Sequence, residues 1–233
     1  MDTWPATAGE LLEWQRIIAA DTPTTWRAEP ILAGGCFVCF ARGPSGPGRS
    51  GDAGWAGAAL ADGRVATAAG PARAAYQPGL LALREGPLLE AAVRRLPELP
   101  DLLLVNATGR DHPRRAGLAL HLGAVLDLPT VGVTHRPLLA QGEWPPDERG
   151  ARAPLLLEGE LVGYWLRTRP GTRPLAVHAA WCTEADSAAE FVLAWSRRRT
   201  PEPLRLARRA ARRARADSRL SAVGRTSPGG RRS

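Results

Sequence analysis

Within ten residues, Asn106 to Arg115 (NATGRDHPRR), the chain places an amide, a carboxyl, an imidazole and three guanidinium groups. Arginine and histidine clustered in this way are the side chains that grip phosphate. The stretch follows Leu102 to Val105 (LLLV), an apolar run that reads as a buried strand. Polar residues just after such a strand lie at the carboxyl edge of a sheet, where open α/β sheets take their ligands. His112, Arg114 and Arg115 also fall near the expected start of a helix, where cations are disfavoured by the helix dipole unless an anion is close. Composition alone leaves a second reading open, a solvated loop with incidental arginines.

Other chemistry-bearing residues are sparser. Cys36 and Cys39 sit in an apolar strand, so their side chains point to opposite faces, and no second pair follows. They read as small buried residues rather than a zinc knuckle or redox pair, and Cys182 stands alone. Three cysteines build no disulfide framework and fit reduced thiols. His121, expected at mid-helix, reads as a packing residue, and His178 takes no assignment. Asp111 reads as solvated, with the role of a relocated metal ligand left open.

The elements that must position these groups follow from periodicity and turn chemistry. Glu10 to Ala20 has apolar residues at helical spacing, and Ile31 to Phe40 reads as a buried strand. Gly43 to Gly51 is a loop rich in Gly and Pro. Trp55 to Leu60 and Arg64 to Ala69 flank Ala61-Asp62-Gly63, a hairpin signal, so the chain opens with an antiparallel meander of three strands. A helix is expected over Leu80 to Leu96, a second over Arg115 to Val125, and short strands over Leu102 to Val105 and Thr130 to Val133. Strand, helix, strand in that order implies a parallel crossover. A second hairpin is expected at Glu158-Gly159-Glu160, then a strand over Leu175 to Ala180 and a helix over Asp186 to Trp195 capped near Thr183. The fold class is α/β.

The 233-residue length bounds the chain to one domain with extensions. Residues 197–233 hold 13 arginines against 2 acids, whereas residues 1–196 hold 18 against 21. The division drawn from composition is therefore a slightly acidic body, 1–196, and a basic tail, 197–233, helical over Leu204 to Ala216 and disordered from Ser221. Such a tail adds sequence-independent affinity for a polyanion or simply solubilises the chain. No run of 18 apolar residues and no secretory pattern at the N-terminus are present, so a cytoplasmic protein without a membrane partner is expected.

Three segments occur in order, AYQPGLLALRE (Ala75 to Glu85), PDLLLVNATGRDHPRRAGLALHLG (Pro100 to Gly123) and LPTVGVTHRPL (Leu128 to Leu138). Together they resemble the endonuclease V family, which cuts nucleic acid beside deaminated adenine (inosine), and the resemblance runs from about Leu11 to Leu204. It implies a ribonuclease-H-like mixed sheet, with three antiparallel strands followed by parallel ones and flanking helices. It implies a divalent metal, usually Mg²⁺, a tyrosine wedge, and DNA or RNA as partner, inosine-containing strands included. Tyr76 matches the wedge, Pro78 and Gly79 its turn, Glu85 a metal-binding glutamate, His112 the histidine beside the metal, Arg114 and Arg115 the basic pair, and Asp186 an aspartate at the start of the last core helix.

Four positions depart from the family pattern. Cys36 and Asn106 stand where metal-binding aspartates belong, His135 where a lysine belongs, and Trp181 where a histidine belongs. Mg²⁺ needs oxygen ligands, usually carboxylates, and avoids sulfur; an amide oxygen brings no charge. Phosphodiester hydrolysis of this kind leans on the metal, and each lost contact can cost about 10²–10³ in rate. The catalytic positions Glu85, His112, Asn106, Cys36 and His135 thus predict an endonuclease-V-like nucleic-acid-binding protein, a pseudoenzyme with weak or lost cleavage. Three alternatives stay open: an active metal-dependent endonuclease, a softer metal such as Zn²⁺ or Mn²⁺ on Cys36, Glu85, His112 and His135, and a protein-interaction module. A monomer is the default expectation.

Overall fold

Leu102, Leu103, Leu104 and Val105 alternate between two hydrophobic clusters, Leu103 and Val105 in one, Leu102 and Leu104 in the other. A strand buried on both faces must be apolar at every position, which is why this run shows no alternation. In the computed structural model this strand, β4 (Leu102–Val105), lies inside an eight-stranded sheet. The structure describes residues 4–21, 23, 25, 32–41 and 47–223. Ile31, the first part of the Gly43–Gly51 loop and residues 224–233, within the expected disordered end, lie outside the described residues.

β1 (Ala33–Phe40), β2 (Ala53–Leu60) and β3 (Val65–Pro71) form the expected antiparallel meander. β1 pairs parallel with β4, and β4 parallel with β5 (Thr130–Thr134). β6 (Arg152–Leu157), β7 (Glu160–Leu166) and β8 (Leu175–Ala179) then extend the sheet antiparallel, in the order β3-β2-β1-β4-β5-β8-β7-β6. Glu158 and Gly159 join β6 to β7 with φ of 54° and 82°, the two positive values that a tight two-residue hairpin requires. The mixed α/β sheet is the ribonuclease-H-like arrangement expected from the sequence.

Five helices flank the sheet: α1 (Ala8–Ala20), α2 (Leu81–Val93), α3 (Leu118–Leu126), α4 (Ala185–Ala194) and α5 (Glu202–Val223). α3 starts three residues later than expected. Arg115 takes φ 56° and Gly117 is an extended N-cap, so the basic pair sits in the loop before the helix and not in its first turn. The argument from the α3 dipole therefore does not apply to these arginines. α4 is capped at Glu184, next to Thr183 as expected, with Ser187 completing the capping box; the Thr183 hydroxyl itself donates to the Thr130 carbonyl.

The compositional boundary at residue 196 does not coincide with a boundary in packing. α5 lies across β1 and β2 so closely that a Cβ on Gly35 would come within 2.6 Å of the Pro203 backbone, and one on Gly57 would overlap the Ala207 carbonyl. Leu204, Ala207 and Ala211 form its buried stripe, while Arg209, Arg212 and Arg213 are exposed. The first half of the basic segment is thus a layer of the domain.

Candidate functional site

The carboxyl end of β4 lies beside the middle of β1, with Cys36 opposite Val105 in parallel register. Cys36, Phe37, Tyr76, Glu85 and Asn106 line a small cleft at this edge, about 200 Å³ in volume. Cys36 faces α2 and is fully buried; Cys39 faces the other way, its Sγ 3.7 Å from the Ala211 carbonyl of α5. The opposite-face reading of the two cysteines holds, and both are free thiols. Burial, with the Glu85 carboxyl beside it, pushes the Cys36 thiol far above its usual range. Glu85 retains an accessible edge on the cleft, yet loss of water around its carboxyl pushes its pKa to about 7, with the Arg84 charge pulling weakly the other way.

Tyr76 is half-exposed at the mouth of the cleft, and the turn behind it is held from three sides. Gly79, at φ 74°, directs its carbonyl to the Arg114 guanidinium (2.8 Å), the His112 Nε2 (3.2 Å) and the Gln15 Nε2 (3.3 Å). Gln15, fully buried on α1, also accepts from Arg114 Nε at 2.6 Å and donates to the Ala116 carbonyl. His112 Nδ1 accepts from the Arg114 backbone N–H at 3.3 Å, which leaves Nε2 to donate to Gly79 and makes the imidazole neutral. Burial, then the neighbouring Arg114 charge, lowers its pKa to about 4. His112 and Arg114 therefore brace the Tyr76 turn.

Arg115 is turned away from Arg114. Its guanidinium donates to the Leu157 carbonyl and pairs with Glu158 at 3.1 Å and Glu160 at 3.3 Å, at the β6–β7 hairpin. Asp111, read from sequence as solvated, is fully buried. Its two oxygens accept from the backbone N–H groups of Leu138, Leu139 and Ala140 at 2.5, 2.9 and 2.8 Å, which excludes the role of a relocated ligand. His178 lies with Nδ1 3.7 Å from Asp111, but burial lowers its pKa, so the contact is not an ion pair. His121 is a packing residue as expected, buried and stacked on Trp4 with ring centroids 4.6 Å apart. Trp181 is buried, and Asp186, in the first turn of α4, accepts from the Tyr164 hydroxyl and pairs with Arg152.

His135 lies exposed just past the end of β5; partial loss of water around its ring, then the Arg199 and Arg208 charges, lower its pKa. Arg208 is the residue that sequence reasoning missed. It comes over the edge from α5, its guanidinium 5.0 Å above the Phe37 ring and one Nη 3.2 Å from the Asn106 Oδ1. A signal for it existed: the Leu204, Ala207, Ala211 spacing marks the buried stripe of α5, and Arg208 borders that stripe.

The endonuclease V family model matches residues 58–209, about two thirds of the chain. Endonuclease V of Thermus thermophilus is 40% identical over 201 residues, covering 84% of this chain and 81% of that protein. The chain belongs to the endonuclease V family. Endonuclease V of Roseiflexus is 45% identical over a shorter stretch, 57% of this chain and 60% of that protein. Among solved structures, the endonuclease V of Streptomyces avermitilis superimposes with a TM-score of 0.82 at 34% identity, covering 92% of this chain and 96% of that one. A Ciona intestinalis endonuclease V, solved in complex with a 24mer DNA containing an inosine followed by a ribo-adenosine, shares the fold with a TM-score of 0.70 at 18% identity, covering 90% and 99%.

Membership implies dependence on a divalent metal, but the residues at the expected endonuclease V positions do not fit Mg²⁺. Cys36 offers a buried thiol, Asn106 a neutral amide already taken by a guanidinium, and His112 a ring with both nitrogens occupied. Only Glu85 supplies a carboxyl, and one carboxylate is few for a hard divalent cation. The softer set of Cys36, Glu85, His112 and His135 is not assembled: among the described residues no three His, Cys, Asp or Glu side chains gather as a metal site.

Proposed function

We propose that this member of the endonuclease V family binds DNA or RNA at deaminated bases and has weak or lost phosphodiester cleavage. The observation that carries the reading is the contrast within one cleft. The turn bearing Tyr76 is fully braced, whereas the expected metal position beside it holds a thiol, an amide and a single carboxyl. Tyr76 acts as the wedge beside the lesion, with Pro78 and Gly79 shaping its turn. Binding of inosine-containing DNA by the Ciona relative supports the choice of ligand. Arg209, Arg212 and Arg213 on the outer face of α5 add affinity for phosphates that is steeply salt-dependent. No described helix is long and apolar enough to cross a membrane.

The test is a nicking assay on DNA and RNA strands carrying a single inosine, in Mg²⁺ and in Mn²⁺, beside a binding assay on the same strands. Binding without appreciable nicking is expected. Strong nicking that Glu85→Ala abolishes would establish the second reading, an active metal-dependent endonuclease, which the family match across most of the chain favours.

A further inference from the structure

Arg208 is a cation without a carboxylate partner among the described residues, at the edge where the resemblance to the family leads one to expect a metal. Its ion-pair partners would have to be carboxylates, and among the described residues none pairs with it; its one hydrogen bond there is to the neutral Asn106 amide, and its Nε is buried with no partner. The Phe37 ring holds the guanidinium plane from one side. Arg199 and Arg212 are near enough to oppose its charge further. A guanidinium has five donors in a rigid fork that matches the paired oxygens of a phosphate. Desolvating it among other cations is unfavourable unless an anion completes the site.

We propose that Arg208 stands in for the divalent cation, gripping the non-bridging oxygens of a nucleic-acid phosphodiester at the Asn106 edge, so that this protein binds its strand without metal. The positive charge is delivered by α5, whose seat on β1 and β2 is fixed by the close approach of Gly35 and Gly57 to the helix backbone. A fixed monovalent fork can hold a phosphate but cannot supply the metal's hydroxide, so binding is kept where hydrolysis is not. The inference rests on the nucleic-acid-binding reading above.

Fluorescence anisotropy of the full-length chain with an inosine-containing oligonucleotide, in EDTA and in Mg²⁺ over a range of KCl, tests it. Wild type is expected to bind equally in EDTA and Mg²⁺. R208Q is expected to lose about tenfold or more in affinity, with the slope of log K against log salt reduced by about one. R208K, which keeps the charge but not the fork, should fall between, and it carries the test if R208Q does not fold. R212Q, an exposed control on the same helix, should lose only a few-fold. The inference is overturned if R208Q and R208K bind like wild type, if R208Q is no worse than R212Q, or if EDTA abolishes wild-type binding. If wild type binds no oligonucleotide at all, the nucleic-acid reading falls with it; if only the Arg208 variants fail to differ, that reading stands and this one does not.

Discussion

On the α2 side of the cleft, His112, Arg114 and Gln15 converge on one carbonyl, that of Gly79, with the imidazole nitrogens and the Arg114 Nε engaged. On the α5 side, Arg208 keeps an unpartnered buried Nε and meets a single neutral amide. The two sides lie at one sheet edge and use the same residue types. Side chains whose donors and acceptors are consumed by the fold set geometry, and those left incomplete are available to a ligand. By that criterion His112 and Arg114 are a brace; Arg115, at the β6–β7 hairpin, and Arg208 each keep one unpartnered buried nitrogen, and the open cation at the Asn106 edge comes from the segment that composition alone assigns to a tail.

The consumed side should be the more damaging to break. Asp111→Ala leaves three buried N–H groups of residues 138–140 without acceptors and should cost about 4 kcal/mol, read by urea denaturation. Retention of wild-type stability would show that the loop does not depend on this carboxylate.

Glu85 in the cleft and His112 behind the Tyr76 turn should respond to pH in opposite directions. Glu85 has its folded pKa raised from 4.5 to about 7, so its native preference for the proton stabilises the fold below about pH 4.5 and is lost as pH rises through 7. Glu85→Gln should therefore match wild type near pH 4 and exceed it by up to about 3 kcal/mol at pH 8. His112 has its folded pKa lowered from 6.5 to about 4, so its contribution is full above 6.5 and is lost as pH falls toward 4. His112→Gln should accordingly remove part of the acid destabilisation of wild type, up to about 3 kcal/mol between pH 7 and pH 4, in the same denaturation series. His121 and His178, also lowered, add to that dependence, as do carboxylates held low by arginines, such as Asp52 beside Arg84.

Arg114→Ala removes the bonds to Gly79 and Gln15 and should cost about 2 kcal/mol in stability while loosening the Tyr76 turn, seen as weaker oligonucleotide binding with an unchanged salt slope. A fall in slope by about one would instead mark Arg114 as a phosphate contact and erase the contrast drawn here. The smallest effect is expected at Arg115, whose carboxylate partners Glu158 and Glu160 are exposed. Arg115→Gln should change stability by less than about 1 kcal/mol.

Much of the fold was legible because it rests on local rules. The apolar runs LLLV and TVGVT are strands buried on both faces, and Glu158-Gly159 is a turn because its backbone needs positive φ. The α3 boundary was misplaced because the left-handed Arg115 interrupts a stretch whose side chains suit a helix. At the site, that Cys36 and Asn106 bring no carboxylate is a matter of chemical identity, fixed in the sequence without any structure. What those positions hold instead was not. Asn106 and Arg208 are 102 residues apart, and Asp111 meets its three amides 27 to 29 residues away. The sequence by itself determined the strands, the family and the absence of a carboxylate at Cys36 and Asn106, because each is a property of residue type and short-range spacing. Only the tertiary structure decided which polar groups are spent and which remain open, because burial and hydrogen-bond partners come from segments that chain order does not bring together.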